Sequence, residues 1–153
     1  MAIVDKDLLK KLKKETGLGM NECKAALESL DNDYDGALHA LEERAREKAE
    51  KLAGAEASEG VIASYVHHDR RIGSMVELNC QTDFAARSEE FLAFADELAL
   101  QIAATNPKDI IELQMQESMF QSGKIIEYCR IELSAKIKEN VVIKRIHRFA
   151  LSE

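Results

Sequence analysis

The sequence predicts an α+β protein, with an N-terminal three-helix module followed by a small core of three antiparallel strands and helices packed on one face. Three observations carry this. Apolar residues recur every three or four positions through roughly the first 50 residues. Past Gly60 the pattern changes to runs of alternating apolar residues. Helical spacing then returns between the second and third of those runs, so helices have a sheet to cover.

Residues 5–16 form the first helix, with Asp5 or Asp7 near its start and Leu8, Leu9 and Leu12 on one face. Gly17 ends it, because glycine enters the left-handed conformation of a helix terminus without a Cβ clash. A second helix follows Gly19, with Met20, Cys23, Leu27 and Leu30 in register, and Asp31, Asn32 and Asp33 break it. Asn32 or Asp33 caps a third helix whose apolar face is Tyr34, Ala37, Leu38, Leu41 and Ala45. Residues 41–53 read as a solvated extension of it, since Glu42 with Arg46 and Glu47 with Lys51 stand at the four-residue spacing of supporting ion pairs. The small, polar stretch 54–60 marks a boundary. It divides the chain into residues 1–54, the module with its extension, and residues 55–153, the α+β core. A three-helix bundle of this size buries little on its own and gains by docking on the core.

Residues 61–67 and 72–80 are rich in β-branched and apolar residues and flank His68-Asp69-Arg70-Arg71, the pattern of a hairpin. Ser88, followed by Glu89 and Glu90, caps a helix carrying Phe91, Phe94, Ala95, Leu98 and Ile102, which Asn106-Pro107 closes. Residues 109–121 form a short helix, interrupted at Ser122-Gly123. Residues 124–138 form a last helix, with Ile126, Cys129, Leu133 and Ile137 aligned. Residues 141–151 alternate as a third strand, placing Val141, Ile143, Arg145, His147 and Phe149 on one side and Val142, Lys144 and Ile146 on the other. Three strands leave an exposed edge and an uncovered face, a natural place for self-association.

Composition excludes several classes. A formal charge of -7 argues against direct nucleic-acid binding, because phosphate contacts draw on Lys and Arg. Lys10, Lys11, Lys13 and Lys14, and later Lys144, Arg145 and Arg148, read as solvated faces. No apolar run approaches the roughly 20 residues of a membrane helix, and the start lacks a signal-peptide layout, so a cytoplasmic protein without membrane contact is expected. Cys23, Cys80 and Cys129 are too widely spaced for a disulfide framework or a metal knuckle. His67 and His68 are neighbours, and on a strand they point to opposite faces, so no metal site is expected. Cys80 as a nucleophile lacks any identifiable base. No phosphate-binding glycine loop is present, so neither a cofactor nor a small-molecule substrate is expected and the chain does not read as an enzyme.

The stretch from Glu77 to Arg87 stands apart. It leaves a strand and ends before a helix, which puts Asp83 and Phe84 at the tip of a strand-to-helix turn. An aromatic there is either folded back into the core or offered to a partner, and aromatics rank high among interface anchors. Spacing alone favours the fold-back.

The segment Glu77-Leu78-Asn79-Cys80-Gln81-Thr82-Asp83-Phe84-Ala85 resembles the signature of the elongation factor Ts family, the nucleotide-exchange factors for the translational GTPase elongation factor Tu. Thr16-Gly17-Leu18-Gly19-Met20 has a counterpart in the same family. The chain departs from the usual pattern at Ala85, where Val is common, at Ala25, where a basic residue is common, and at Asn21, where Met is frequent. The resemblance implies a three-helix module similar to the ubiquitin-associated type. It also implies a guanine-nucleotide exchange activity in which Thr82, Asp83, Phe84 and Ala85 disturb the Mg²⁺ site of elongation factor Tu, while Lys13 and Met20 contact its GTPase domain. Periodicity taken alone gives Met20 to the core instead. Long relatives carry two related core subdomains and this chain has room for one, which implies a homodimer through the sheet. Residues 106–139 are shorter than in those relatives, which insert a helical hairpin there. An alternative follows: a binding adaptor that works through the three-helix module, with exchange lost through the shortened core.

Overall fold

A computed structural model describes residues 3–153; Met1 and Ala2, the first two residues of the expected N-terminal module, lie outside the described residues. Helix α1 (Lys6–Thr16) starts at Asp5, whose carboxylate accepts from the N–H groups of Asp7 and Leu8 at 2.9 and 3.2 Å, satisfying donors that the helix cannot. It stops at Gly17, which has a φ of +69° and donates its N–H to the Lys13 carbonyl. Helix α2 (Met20–Ser29) buries Cys23, Ala26 and Leu27 but leaves Met20 44% exposed, so the register that predicted a core Met20 does not hold at the helix start. Asp31 and Asn32 both take left-handed conformations. Asn32 ties the turn to the chain start, accepting from Asp5 N–H at 2.9 Å and donating to the Ile3 carbonyl at 2.7 Å, while Asp33 caps the next helix.

Helix α3 (Tyr34–Leu52) runs unbroken through the stretch expected to be a solvated extension. That expectation is corrected: Ala45 and Ala49 are buried against Ile131 and Ala135. Among the described residues, the anticipated pairs Glu42–Arg46 and Glu47–Lys51 do not form, and Lys48 pairs with Glu22 of α2 instead. Small side chains at four-residue spacing let α3 lie closely on its neighbour, which charge spacing alone did not reveal.

The sheet has the order β1–β2–β3, all antiparallel, with β1 (Glu59–Val66), β2 (Ile72–Cys80) and β3 (Val142–Ala150). Strand β1 begins two residues earlier than expected because Gly60 fits where nothing larger can: a Cβ there would stand 2.1 Å from the Leu78 carbonyl oxygen. Strand β3 corrects the predicted alternation. Glu77 pairs with Arg145 and Leu78 with Ile143, so Lys144 is an extra residue and the two halves of the strand exchange faces. Val141 and Ile143 point inward before the bulge, and Ile146 does so after it, leaving Arg145, His147 and Phe149 outside.

The one-turn helix α4 (Asp83–Ala86) follows β2, and α5 (Glu89–Thr105) then packs across the inner face of β1 and β2. Ser88 caps α5 as predicted. The expected helix over residues 109–121 shrinks to α6 (Ile110–Met115), because residues 116–125 form a closed loop with a strand-like bridge between Glu117 and Ile125. Helix α7 (Ile126–Ile137) completes the layer. The main core lies between the sheet and α5–α7, around Val76, Leu78, Phe91, Leu98, Ile102, Leu113 and Val141. A second apolar cluster, with Leu12, Cys23, Leu27 and Leu41, sits inside α1–α3. The α3–α7 seam joins the two.

Candidate functional site: an exposed aromatic on an anchored turn

Thr82 leaves β2 in an extended conformation and caps α4, its hydroxyl accepting from the Ala85 N–H at 3.2 Å. A single helical turn follows. Within it the side chains divide by face: Ala85 and Ala86 are buried in the main core, whereas Phe84 is 83% exposed. Of the two readings for this aromatic, the fold-back is therefore corrected. Ala85, counted among the expected contact residues, faces the core beneath the turn. Asp83 points outward and pairs with Arg87 at 2.8 Å, both well exposed, so water screens the pair.

What holds an exposed aromatic on so short a turn is a carboxylate from a distant part of the chain. Glu139 Oε1 accepts from the N–H groups of Gln81 and Thr82 at 3.0 and 2.9 Å, and Oε2 accepts from the Thr82 hydroxyl at 2.6 Å. Lys138 ends α7 in a left-handed conformation, with a φ of +61°, and this turns the chain so that Glu139 faces Thr82. The next residue extends the anchor: Asn140 N–H donates to Gln81 Oε1 at 2.6 Å, and its side-chain amide donates to the carbonyls of Ala53 and Ala55 at 3.3 and 2.9 Å. Glu139 and Asn140 went unnoticed in the sequence. A Glu-Asn pair after a helix reads as a surface loop, and no local signal marks a partner 57 residues away.

The thiol of Cys80 lies beneath the turn and donates to the Thr82 carbonyl at 3.2 Å. Burial, then the charges of Glu139 and Glu59, push it up to about 11, so it is a protonated donor rather than an activated nucleophile. His67 and His68 also differ from expectation. β1 ends at Val66, so both lie in the turn, their rings tilted against each other with centroids 4.2 Å apart and His67 Nδ1 bonded to the Tyr65 hydroxyl. Among the described residues, no group of three or more metal-ligating side chains occurs.

The second set of predicted contacts lies at the α1–α2 corner. Lys13 is exposed on the last turn of α1, and Met20 opens α2. The corner borders a groove whose other wall is the N-terminal half of α5, including Glu90 and Phe94. Lys136 crosses between them, lying against Gly17 and 3.5 Å from Glu90. Glu90 is held below the usual carboxylate range by its own backbone N–H and by that ammonium. α4 leads directly into α5, the helix that walls this groove.

The sheet presents a further apolar surface. Ile62, Val66, Met75 and Phe149 are exposed on its outer face, Phe149 to 74%, beside the Glu77–Arg145 ion pair. Among the described residues, no helix is long and apolar enough to cross a membrane.

Comparison with known proteins places this geometry in context. The family model described as "Elongation factor TS" matches residues 81–153, which begin at the anchored turn. The chain is similar to elongation factor Ts of Desulfosudis oleivorans, 36% identical with the whole of both chains covered. That alignment runs over 198 positions against 153 residues here, so the relative carries insertions. It is also 40% identical to elongation factor Ts of Thermosipho melanesiensis and 37% identical to that of Syntrophobacter fumaroxidans, over 94% and 93% of this chain and 72% of each relative.

Proposed function

Since the chain belongs to the elongation factor Ts family and is thus a translation elongation factor, we propose that it acts as a guanine-nucleotide exchange factor for elongation factor Tu. In this reading the chain binds the GTPase with GDP, disturbs its Mg²⁺ site and promotes GDP release, so that GTP can bind. The observation that carries the proposal is Phe84, a large apolar side chain held outward on a turn that Glu139 and Thr82 fix in place. Moving an exposed aromatic from water into an apolar slot is favourable, and the backbone that carries it is already fixed, which suits a wedge. Asp83 stands beside it as a hydrogen-bonding group, and Thr82 and Ala85 frame the turn from the cap and from below. Mg²⁺ bridges nucleotide phosphate and protein oxygens, so displacing its ligands weakens both.

The division at residues 54 and 55 fits a two-point grip, in which the ubiquitin-associated-like module engages the GTPase through Lys13 and Met20 and the core delivers Phe84. The outer face of the sheet suits a second copy of the chain, since Ile62, Met75 and Phe149 form an apolar strip between two unpaired strand edges. We place the homodimer there and the protein in the cytoplasm. Sedimentation giving a monomer at micromolar concentration would remove the dimer.

Exchange demands reciprocity: a factor that weakens nucleotide binding is itself weakened by nucleotide to the same degree. Titration of the chain against elongation factor Tu, stripped of nucleotide and saturated with GDP, is expected to give tighter binding to the stripped form. Equal affinity for the two forms would refute exchange and leave the adaptor reading.

A further inference from the structure

We propose that Lys124 sets the orientation of the three-helix module on the core, and so positions the α1–α2 corner relative to the Phe84 turn; the second half of this statement rests on the exchange reading. The α3–α7 seam is built from Ala45, Ala49, Ile131 and Ala135. Three of the four are alanines, which allow close approach but interdigitate little, so that one larger side chain, Ile131, specifies rotation about the seam weakly. A directional bond away from that axis is needed to fix the angle.

Lys124 supplies one. Its ammonium donates to the Glu15 carbonyl at 3.0 Å, in the last turn of α1, where carbonyls lack helical partners and carry the negative end of the helix dipole. It also lies 2.9 Å from Glu132 Oε1 on α7, with both side chains largely shielded, and 5.6 Å from the centre of the Tyr128 ring. One ammonium therefore bridges α1 and α7. Among the described residues, the other side-chain hydrogen bonds near this boundary come from Asn140; one reaches the module at the Ala53 carbonyl just past α3, and the other goes to Ala55 within the core. They cannot hold α1.

The loop that carries Lys124 is rigid for its length. Gln101, a buried side chain of α5, donates to the Glu117 carbonyl at 2.9 Å and accepts from the Met119 N–H at 2.9 Å. Glu117 in turn accepts from Gly123 N–H at 2.8 Å, and the Lys124 carbonyl accepts from Ser118 N–H at 2.8 Å. Position 124 is thus tied to α5, the helix that follows the Phe84 turn. A chain of named bonds runs from the core through Lys124 to the corner holding Lys13 and Met20.

The test uses the full chain with spin labels at Lys10→Cys and Glu112→Cys, both exposed sites, diluted with unlabelled protein so that only distances within one chain are read. The native cysteines are buried. In Lys124→Met the distance distribution is expected to broaden, while Lys124→Arg, which keeps a cationic donor, restores a narrow one. Lys124→Gln serves if the Met variant does not fold. Affinity for elongation factor Tu is expected to fall about fivefold in Lys124→Met. In that background Met20→Ala should cost little more, whereas Phe84→Ala should cost as much as it does in the native chain. An unchanged distance distribution would overturn the proposal. Broadening with the full cost of Met20→Ala retained would overturn its functional half. Were the native chain inactive in exchange, that reading would fall while the distances still decided the clamp.

Discussion

Removing the Glu139 carboxylate should loosen the Phe84 turn, and the size of the effect follows from its bonds. The carboxylate accepts three hydrogen bonds, at 3.0, 2.9 and 2.6 Å, from Gln81 N–H, Thr82 N–H and the Thr82 hydroxyl. Bonds to charged groups are worth about 1.5–3 kcal/mol each where water is excluded. Here Thr82 and its neighbours are partly solvated, so water recovers much of each bond when the carboxylate leaves. A total near 2 kcal/mol is expected for Glu139→Ala, or about 4–8 °C in melting temperature for a chain of this size. Glu139→Gln is the discriminating control. Its carbonyl can still serve both backbone donors, and its amide can donate to the Thr82 hydroxyl, so it should cost under about 1 kcal/mol. Thermal melts followed by circular dichroism, paired with GDP-release rates, report both effects. Exchange should fall strongly in Glu139→Ala and only slightly in Glu139→Gln. If the Ala variant melted with the native chain, or the Gln variant were damaged equally, the anchoring role would be refuted.

Other expectations follow from single features. Met20→Ala should weaken binding to elongation factor Tu by about 1 kcal/mol with a melting shift within about 2 °C, since Met20 is half exposed; titration and a melt together check it, and a large melting shift would return Met20 to the core. Burial pushes both Cys80 and Cys129 up to about 11, so at about pH 8 they should react slowly with a disulfide reagent in the native chain and rapidly in guanidinium. Fast labelling of the native protein would contradict this. Burial also raises the Glu132 carboxyl, with Glu42 and Glu15 adding to the effect and Lys124 opposing it. A raised folded value means that ionising Glu132 costs stability as pH climbs from the ordinary Glu range through the raised value. Lys124→Met removes the opposing charge, so its stability deficit should be smallest at about pH 4–5 and widen by about 1–2 kcal/mol toward pH 7. Denaturant melts across that range would expose a constant deficit, the contrary outcome.

Much of the architecture was legible because local chemistry and global fold agree along most of the chain. Asp5, Gly17, Ser88 and Asn106 act at the helix ends where their side chains or backbone freedom are needed. β2 spans the predicted residues, with Val76, Leu78 and Cys80 buried at alternate positions. What the sequence hid has long-range causes. The bulge at Lys144 depends on pairing with Glu77 and Leu78, and a run of alternating residues does not announce an extra one. Burial of Ala45 and Ala49 depends on α7, more than 75 positions away in the chain, and alanines between charges look solvated until a partner is known. The outward direction of Phe84 follows from Thr82 capping α4 and from Glu139 holding Thr82, and only the first of these is local.

Release of fluorescent GDP from elongation factor Tu of the same organism, chased with excess unlabelled GDP, tests the central claim most directly. The native chain should accelerate release. Phe84→Ala should lose about 2 kcal/mol of interaction, roughly a 30-fold reduction at sub-saturating concentration, with no change in melting temperature because the ring is 83% exposed. Absence of acceleration by well-folded native chain, or full activity in Phe84→Ala, would contradict the account.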